Sequence, residues 1–174
     1  MDLALQLVIE MNQWMWSRFK DDLRDATPEE IDWRPLPQAN NISSIVRHLR
    51  IEAAWHLASL EHGEPMPVRS TDHVRQHLDL APTDFHRNFK ELEESYGRFI
   101  AVLGGTTAAG LQRRTMTAYQ NLPSGVSRPM HLLGFHQATH LATHLGQIRS
   151  ILNLYRKTRG ETARFSPENL SFPS

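Results

Sequence analysis

A chain of 174 residues that is 40% apolar can fill one hydrophobic core, which predicts a single domain. Its 19 Lys and Arg balance its 19 Asp and Glu, so it lacks the bulk positive charge that drives binding to nucleic acid or a membrane surface. The absence of cysteine excludes disulfides, thiolate ligands and a cysteine nucleophile, leaving His, Asp, Glu or water to hold any metal.

The N-terminal MDLALQLVIEMNQW has no basic n-region and no small-residue cleavage site, and no apolar run reaches the ~18–20 residues that span a bilayer. A soluble, cytoplasmic protein is the expectation. Helical periodicity dominates the rest, and strand signals are nearly absent. A first helix is predicted over about 3–24, with Leu7, Met11, Met15 and Phe19 on one face; the Met11, Trp14, Met15 and Trp16 cluster reads mostly as core, with one Trp beyond the stripe left to line a pocket or a dimer contact. The Thr27-Pro28 step ends it, because proline disfavours helix at the residue before it. A long connection with Pro28, Pro35 and Pro37 follows, in which Pro28 to Ile31 can form a short turn capped by Thr27.

Asn41 or Ser43 can cap a second helix over 42–61, whose stripe reads Ile42, Ile45, Val46, Leu49, Ala53, Leu57 and Leu60. A second long link runs to Pro82 and carries an i,i+4 pair, His73 and His77, on a polar background that reads as surface. A third helix, capped by Thr83, is predicted over 83–103 with Phe85, Phe89, Leu92, Tyr96, Phe99 and Val102 inward and Gly104-Gly105 as its stop. After a poorly periodic third link, Pro129 is the expected first residue of a fourth helix over 129–157, followed by a surface tail over 160–174. Four amphipathic helices bury their stripes against one another. The expected fold is all-α, a four-helix bundle with long connections between helices 1 and 2, 2 and 3, and 3 and 4.

The fourth helix carries the run HQATHLATHLGQ, with His136, His140 and His144 at intervals of four. Imidazoles at i and i+4 stack about 6 Å apart at their Cβ atoms and can share one divalent ion at ~2.0–2.1 Å. His136 and His144 are about 12 Å apart along the axis, so the run offers two overlapping pairs and not a triad. Leu133, Leu141, Leu145, Ile148, Ile151, Leu152 and Tyr155 share one sector. His144 lies inside it, His140 at its edge, and His136 is rotated toward the polar side, which favours His140 with His144. A third ligand must come from another helix. Helix 2 offers His48, Glu52 and His56 one turn apart, and periodicity leaves the choice open with His56 nearer the stripe centre.

NNISSIVRHLRIEAAW in the second helix and HLATHLGQI in the fourth, with the Trp33-Arg34-Pro35 run ahead of them, resemble the DinB-like (DinB/YfiT-like) family of bacterial metal-binding four-helix bundles over most of the chain, from Leu3 to about Lys157. The resemblance implies His48, His140 and His144 as the metal ligands, with Gly146 and Gln147 completing the second motif. It makes His56 and His136 neighbours of the site and places Glu52 at a position often acidic in the family. It also implies a homodimer.

Three neutral imidazoles leave coordination positions open, which is the arrangement of a catalytic ion. Zinc is the first expectation, with nickel or another transition metal next. The family implies two activities toward a small-molecule substrate: metal-dependent hydrolysis, or S-transfer from a low-molecular-weight thiol. Glu52 is the candidate acid–base group. The alternative is a non-catalytic, stress-related metal-binding bundle or interaction module.

Overall fold

The computed structural model describes residues 3–62, 83–113, 115–117, 127–129 and 131–166. His73, His77 and the tail beyond residue 166 lie outside them. The elements are α1 (Leu3–Leu23), α2 (Pro28–Asp32), α3 (Ile42–His62), α4 (Phe85–Gly104), α5 (Ala108–Arg113), β1 (Thr115–Thr117), β2 (Ser127–Pro129) and α6 (His131–Thr158). The four long helices form the bundle, and β1 and β2 add a three-residue antiparallel pair at its side.

Cross-helix pairs fix the topology. Asn12 meets Gly134 and Asp22 meets Arg149, so α1 and α6 run parallel. His48 meets His140 while His56 meets Gln137, so α3 and α6 run antiparallel. Arg50 with Glu91 and Glu61 with Arg98 make α3 and α4 parallel, and Asn12 with Tyr96 and Phe19 with Phe89 make α1 and α4 antiparallel. Both α1 and α3 pack on α4 and α6, which puts α1 and α3 at opposite corners. Parallel neighbours α3 and α4 need a return over about 30 Å at 1.5 Å per residue, which explains why a long link stands between them.

The ends of the helices are set locally. Thr27 and Glu30 form a reciprocal capping box at α2, with Pro28 in the first turn. Asn41 Oδ1 accepts from the Ser44 amide, and the Ser44 hydroxyl bonds back to both the amide and the carbonyl of Asn41. At α4 the cap is Asp84, whose side chain accepts from the Arg87 amide. The expected cap, Thr83, instead accepts from the Asn88 amide group at 2.6 Å, so the helix starts at Phe85. Pro129 does not open α6: it pairs with Thr115 in the ribbon, and the helix begins at His131. A proline at a strand end without a ladder donor is compatible with either reading, and only the pairing decides.

The inner face of α1 is also rotated from expectation. Its buried positions are Leu5, Ile9, Asn12, Met15, Trp16, Phe19, Asp22 and Leu23, whereas Leu7 is 56% exposed. Steps of four advance about 400°, so a line through Leu7, Met11, Met15 and Phe19 drifts by about 40° per step and leaves the core at its start. The alternation of fours and threes from Leu5 to Leu23 does not drift.

One core cluster joins Trp16, Phe19, Leu49, Tyr96, Leu145 and Ile148, and a second joins Leu5, Leu60, Phe99, Leu103, Leu111 and Leu133, with Ile100 packed on both. Trp16 stacks on Tyr96 and Phe19 at centroid distances of 4.9 and 5.4 Å, and such pairs add about 0.5–1.5 kcal/mol beyond area burial. The buried Asn12 amide donates to Val8 and Gly134 carbonyls and accepts from the Tyr96 hydroxyl, tying three helices together. Beyond α6, the backbone of Phe165 exchanges two hydrogen bonds with Asn153, so the described part of the tail is docked.

Candidate metal centre

The antiparallel seam of α3 against α6 sets His48 opposite His140 and His144. The Nε2 atom of His140 lies 3.1 Å from Nε2 of His48 and 3.0 Å from Nε2 of His144. One ligand atom from each of the three rings falls within 4.8 Å of the others. His48 is buried, and His140 and His144 are half-buried at the edge of the seam.

The donor set fits a divalent ion on chemical grounds. A neutral imidazole carries one N–H, and a proton on His140 Nε2 can point at only one of its two neighbours. A shared cation satisfies all three lone pairs at once. Nitrogens bound at ~2.0–2.1 Å stand about 2.9 Å apart at a right angle and about 3.4 Å apart at the tetrahedral angle; the two spacings from His140 fall between. His144 Nδ1 donates to Gln147 Oε1 at 2.9 Å, which directs the bare nitrogen of a neutral ring toward His140. Burial, helped by repulsion from the imidazoles of His144, His48, His56 and His136, pushes the pKa of His140 far below the usual histidine range. The ring is therefore neutral, as a ligand must be.

Periodicity leaned toward His56 as the third ligand; the structure places it elsewhere. His56 is fully buried, its Nδ1 hydrogen-bonded to Gln137 Oε1 and its Nε2 3.8 Å from Glu52 Oε2. His136 stands edge-on to His56 at 5.3 Å between centroids and stacks on His140 at 5.5 Å. The polar residues Glu52, His56 and Gln137 thus form a buried network directly behind the triad. Gln137 escaped the sequence reading, although it sits within the apolar sector of its helix, where a lone amide signals a buried partner.

The chain matches the family model of the DinB superfamily over residues 11–148, a span that includes all three histidines. The chain belongs to the DinB superfamily. No curated protein matches this DinB-superfamily chain by sequence. Among solved structures it is similar to YfiT from Bacillus subtilis, described as a probable metal-dependent hydrolase with an unusual four-helix bundle topology. The TM-score is 0.66 at 16% identity, covering 91% of this chain and 89% of that one. It is also similar to a mycothiol-dependent maleylpyruvate isomerase, with a TM-score of 0.64 at 14% identity, covering 92% of this chain and 74% of that one. At these identities the likeness establishes the fold.

Proposed function

We propose that this protein is a metal-dependent enzyme acting on a small molecule, with one divalent ion held by His48, His140 and His144. The observation that carries the reading is the convergence of three Nε2 atoms, one of them fixed in tautomer by Gln147. Zinc is the first choice of ion and nickel the second, because imidazole suits both. Bound there, the ion supplies Lewis acidity that lowers the pKa of a water or a thiol by several units. The protein's own contribution is to hold the rings neutral and oriented, and to keep water from one side of them through the α3–α6 seam. Glu52, fully buried against His56, is the candidate for moving a proton near the site.

One similar solved structure is described as a probable metal-dependent hydrolase and the other as a mycothiol-dependent isomerase, which supports hydrolysis or chemistry with a small thiol, S-transfer included, as the reaction class; in either the substrate's electron-rich head would face the ion. A second copy of the chain belongs to the proposal as a homodimer partner. The test begins with metal content: protein purified without a nickel column is expected to carry about one ion per chain, lost in His144→Ala. Assays with cellular thiols and electrophiles, beside an esterase and amidase panel, then separate the classes. In these, Glu52→Gln is expected to lower turnover while retaining metal. Silence in every assay with metal bound would favour a non-catalytic bundle.

A further inference from the structure

One turn beyond the triad, toward the 33–41 connection, a groove of about 660 Å³ opens between that connection, the start of α3 and the middle of α6. Its apolar walls are Pro35, Ile45, Ile151 and Leu154, and its polar atoms come from Asn40, Thr143, Gln147 and Ser150. No described lining residue is charged. The size is within the range of small-molecule sites, about 300–1,000 Å³.

One observation ties the groove to the histidines, and two describe how it is built. Gln147 belongs to both: it lines the groove and accepts from His144 Nδ1. The outer wall is pre-formed, because Arg34 donates to the Ala39 carbonyl at 2.6 Å and Asn41 donates to the Asp32 carbonyl at 3.2 Å. The α6 wall contains Gly146, in the middle of a 28-residue helix. A Cβ built there meets no atom within 4 Å. Glycine inside a helix is destabilising relative to alanine, and no neighbouring helix requires it at this position. Gly146 is exposed, so this side of the groove stands open.

We infer that this groove is the subsite for the uncharged, largely apolar body of the substrate, and that Gly146 sets its size. The inference rests on the metal-dependent reading above, since the ion anchors the head of the same molecule. A fixed charge on the body would find no counter-ion among the described walls.

Cobalt(II)-loaded protein gives a visible spectrum that reports on head binding without turnover. The probes are acetohydroxamate, hexanohydroxamate and 6-aminohexanohydroxamate, which share a metal-binding head and differ in the body. Hexanohydroxamate is expected to bind at least tenfold tighter than acetohydroxamate, and the ammonium-tipped probe to lose most of that gain. Gly146→Leu should abolish the gain and Gly146→Ala should reduce it, with the cobalt spectrum, acetohydroxamate affinity and melting temperature not lowered. A normal response to acetohydroxamate with no gain for the longer chain, or a gain that survives Gly146→Leu, would overturn the subsite. Absence of any cobalt spectrum in the unmutated protein would instead overturn the metal reading, and the subsite with it.

Discussion

At the scale of residues, the decisive contacts are those that fix imidazole tautomers. Gln147 does this for His144 across 2.9 Å. Loss of such an outer partner typically costs 10–100-fold in metal affinity. Gln147→Ala is therefore expected to weaken zinc binding by that factor in a competition titration with a chelating dye, with the helix content unchanged. His140 gives a second prediction. Its folded pKa is depressed by burial and by the neighbouring rings, below the unfolded value of about 6.5. Below that pH the unfolded chain binds a proton that the folded chain excludes, so the metal-free protein loses stability as pH falls and holds it above. Melting temperatures of metal-free protein from pH 8 to pH 5 should drop on the acid side, with a shallower slope in His140→Gln.

At the scale of elements, the close approach of α1 to α6 depends on Gly134. A Cβ there would come within 2.7 Å of Val8 Cγ1 and 3.4 Å of Leu103 Cδ1. Gly134→Val should therefore destabilise the protein by about 1–3 kcal/mol in denaturant unfolding, in contrast to Gly146→Ala at the open position. The helices themselves were legible in the sequence wherever an apolar stripe was long and its ends were chemically marked, as in α3 and the Thr27 box. The rotated face of α1 is not legible in the sequence, because a four-residue spacing imitates a helical stripe over two turns but not over five. The β1–β2 pair was missed because three residues a side leave no alternation to detect, and Pro129 suits a helix start as well as a strand end. For the candidate site, phase alone selected His140 and His144. It could not choose between His48 and His56, because both face the α3–α6 seam and only the register of one helix against the other decides which meets the pair.

At the scale of the whole molecule, the order of directions sets the site. With α1 and α6 parallel and α3 and α4 parallel, the seam between α3 and α6 is antiparallel. Successive turns of one helix then meet successive turns of the other as two histidine layers. One layer is the solvent-edge triad, and the other is the buried Glu52, His56 and Gln137 network. No helix among the described residues is long and apolar enough to cross a membrane. On the outside of α1, Leu3, Leu7 and Trp14 are 69%, 56% and 59% exposed along one side, a surface of the kind that marks contacts between chains. Light scattering coupled to size exclusion is expected to give a dimer, and Trp14→Glu a monomer. A monomeric unmutated protein would remove the homodimer from the proposal.

The proposed chemistry depends on one ion on three histidines. That arrangement is tested most directly by anomalous diffraction from crystals of protein grown in unsupplemented cells and purified without a nickel column. The prediction is a single peak at about 2.0–2.1 Å from Nε2 of His48, His140 and His144, with an absorption edge that names the metal. Absence of a peak between those three nitrogens would contradict it.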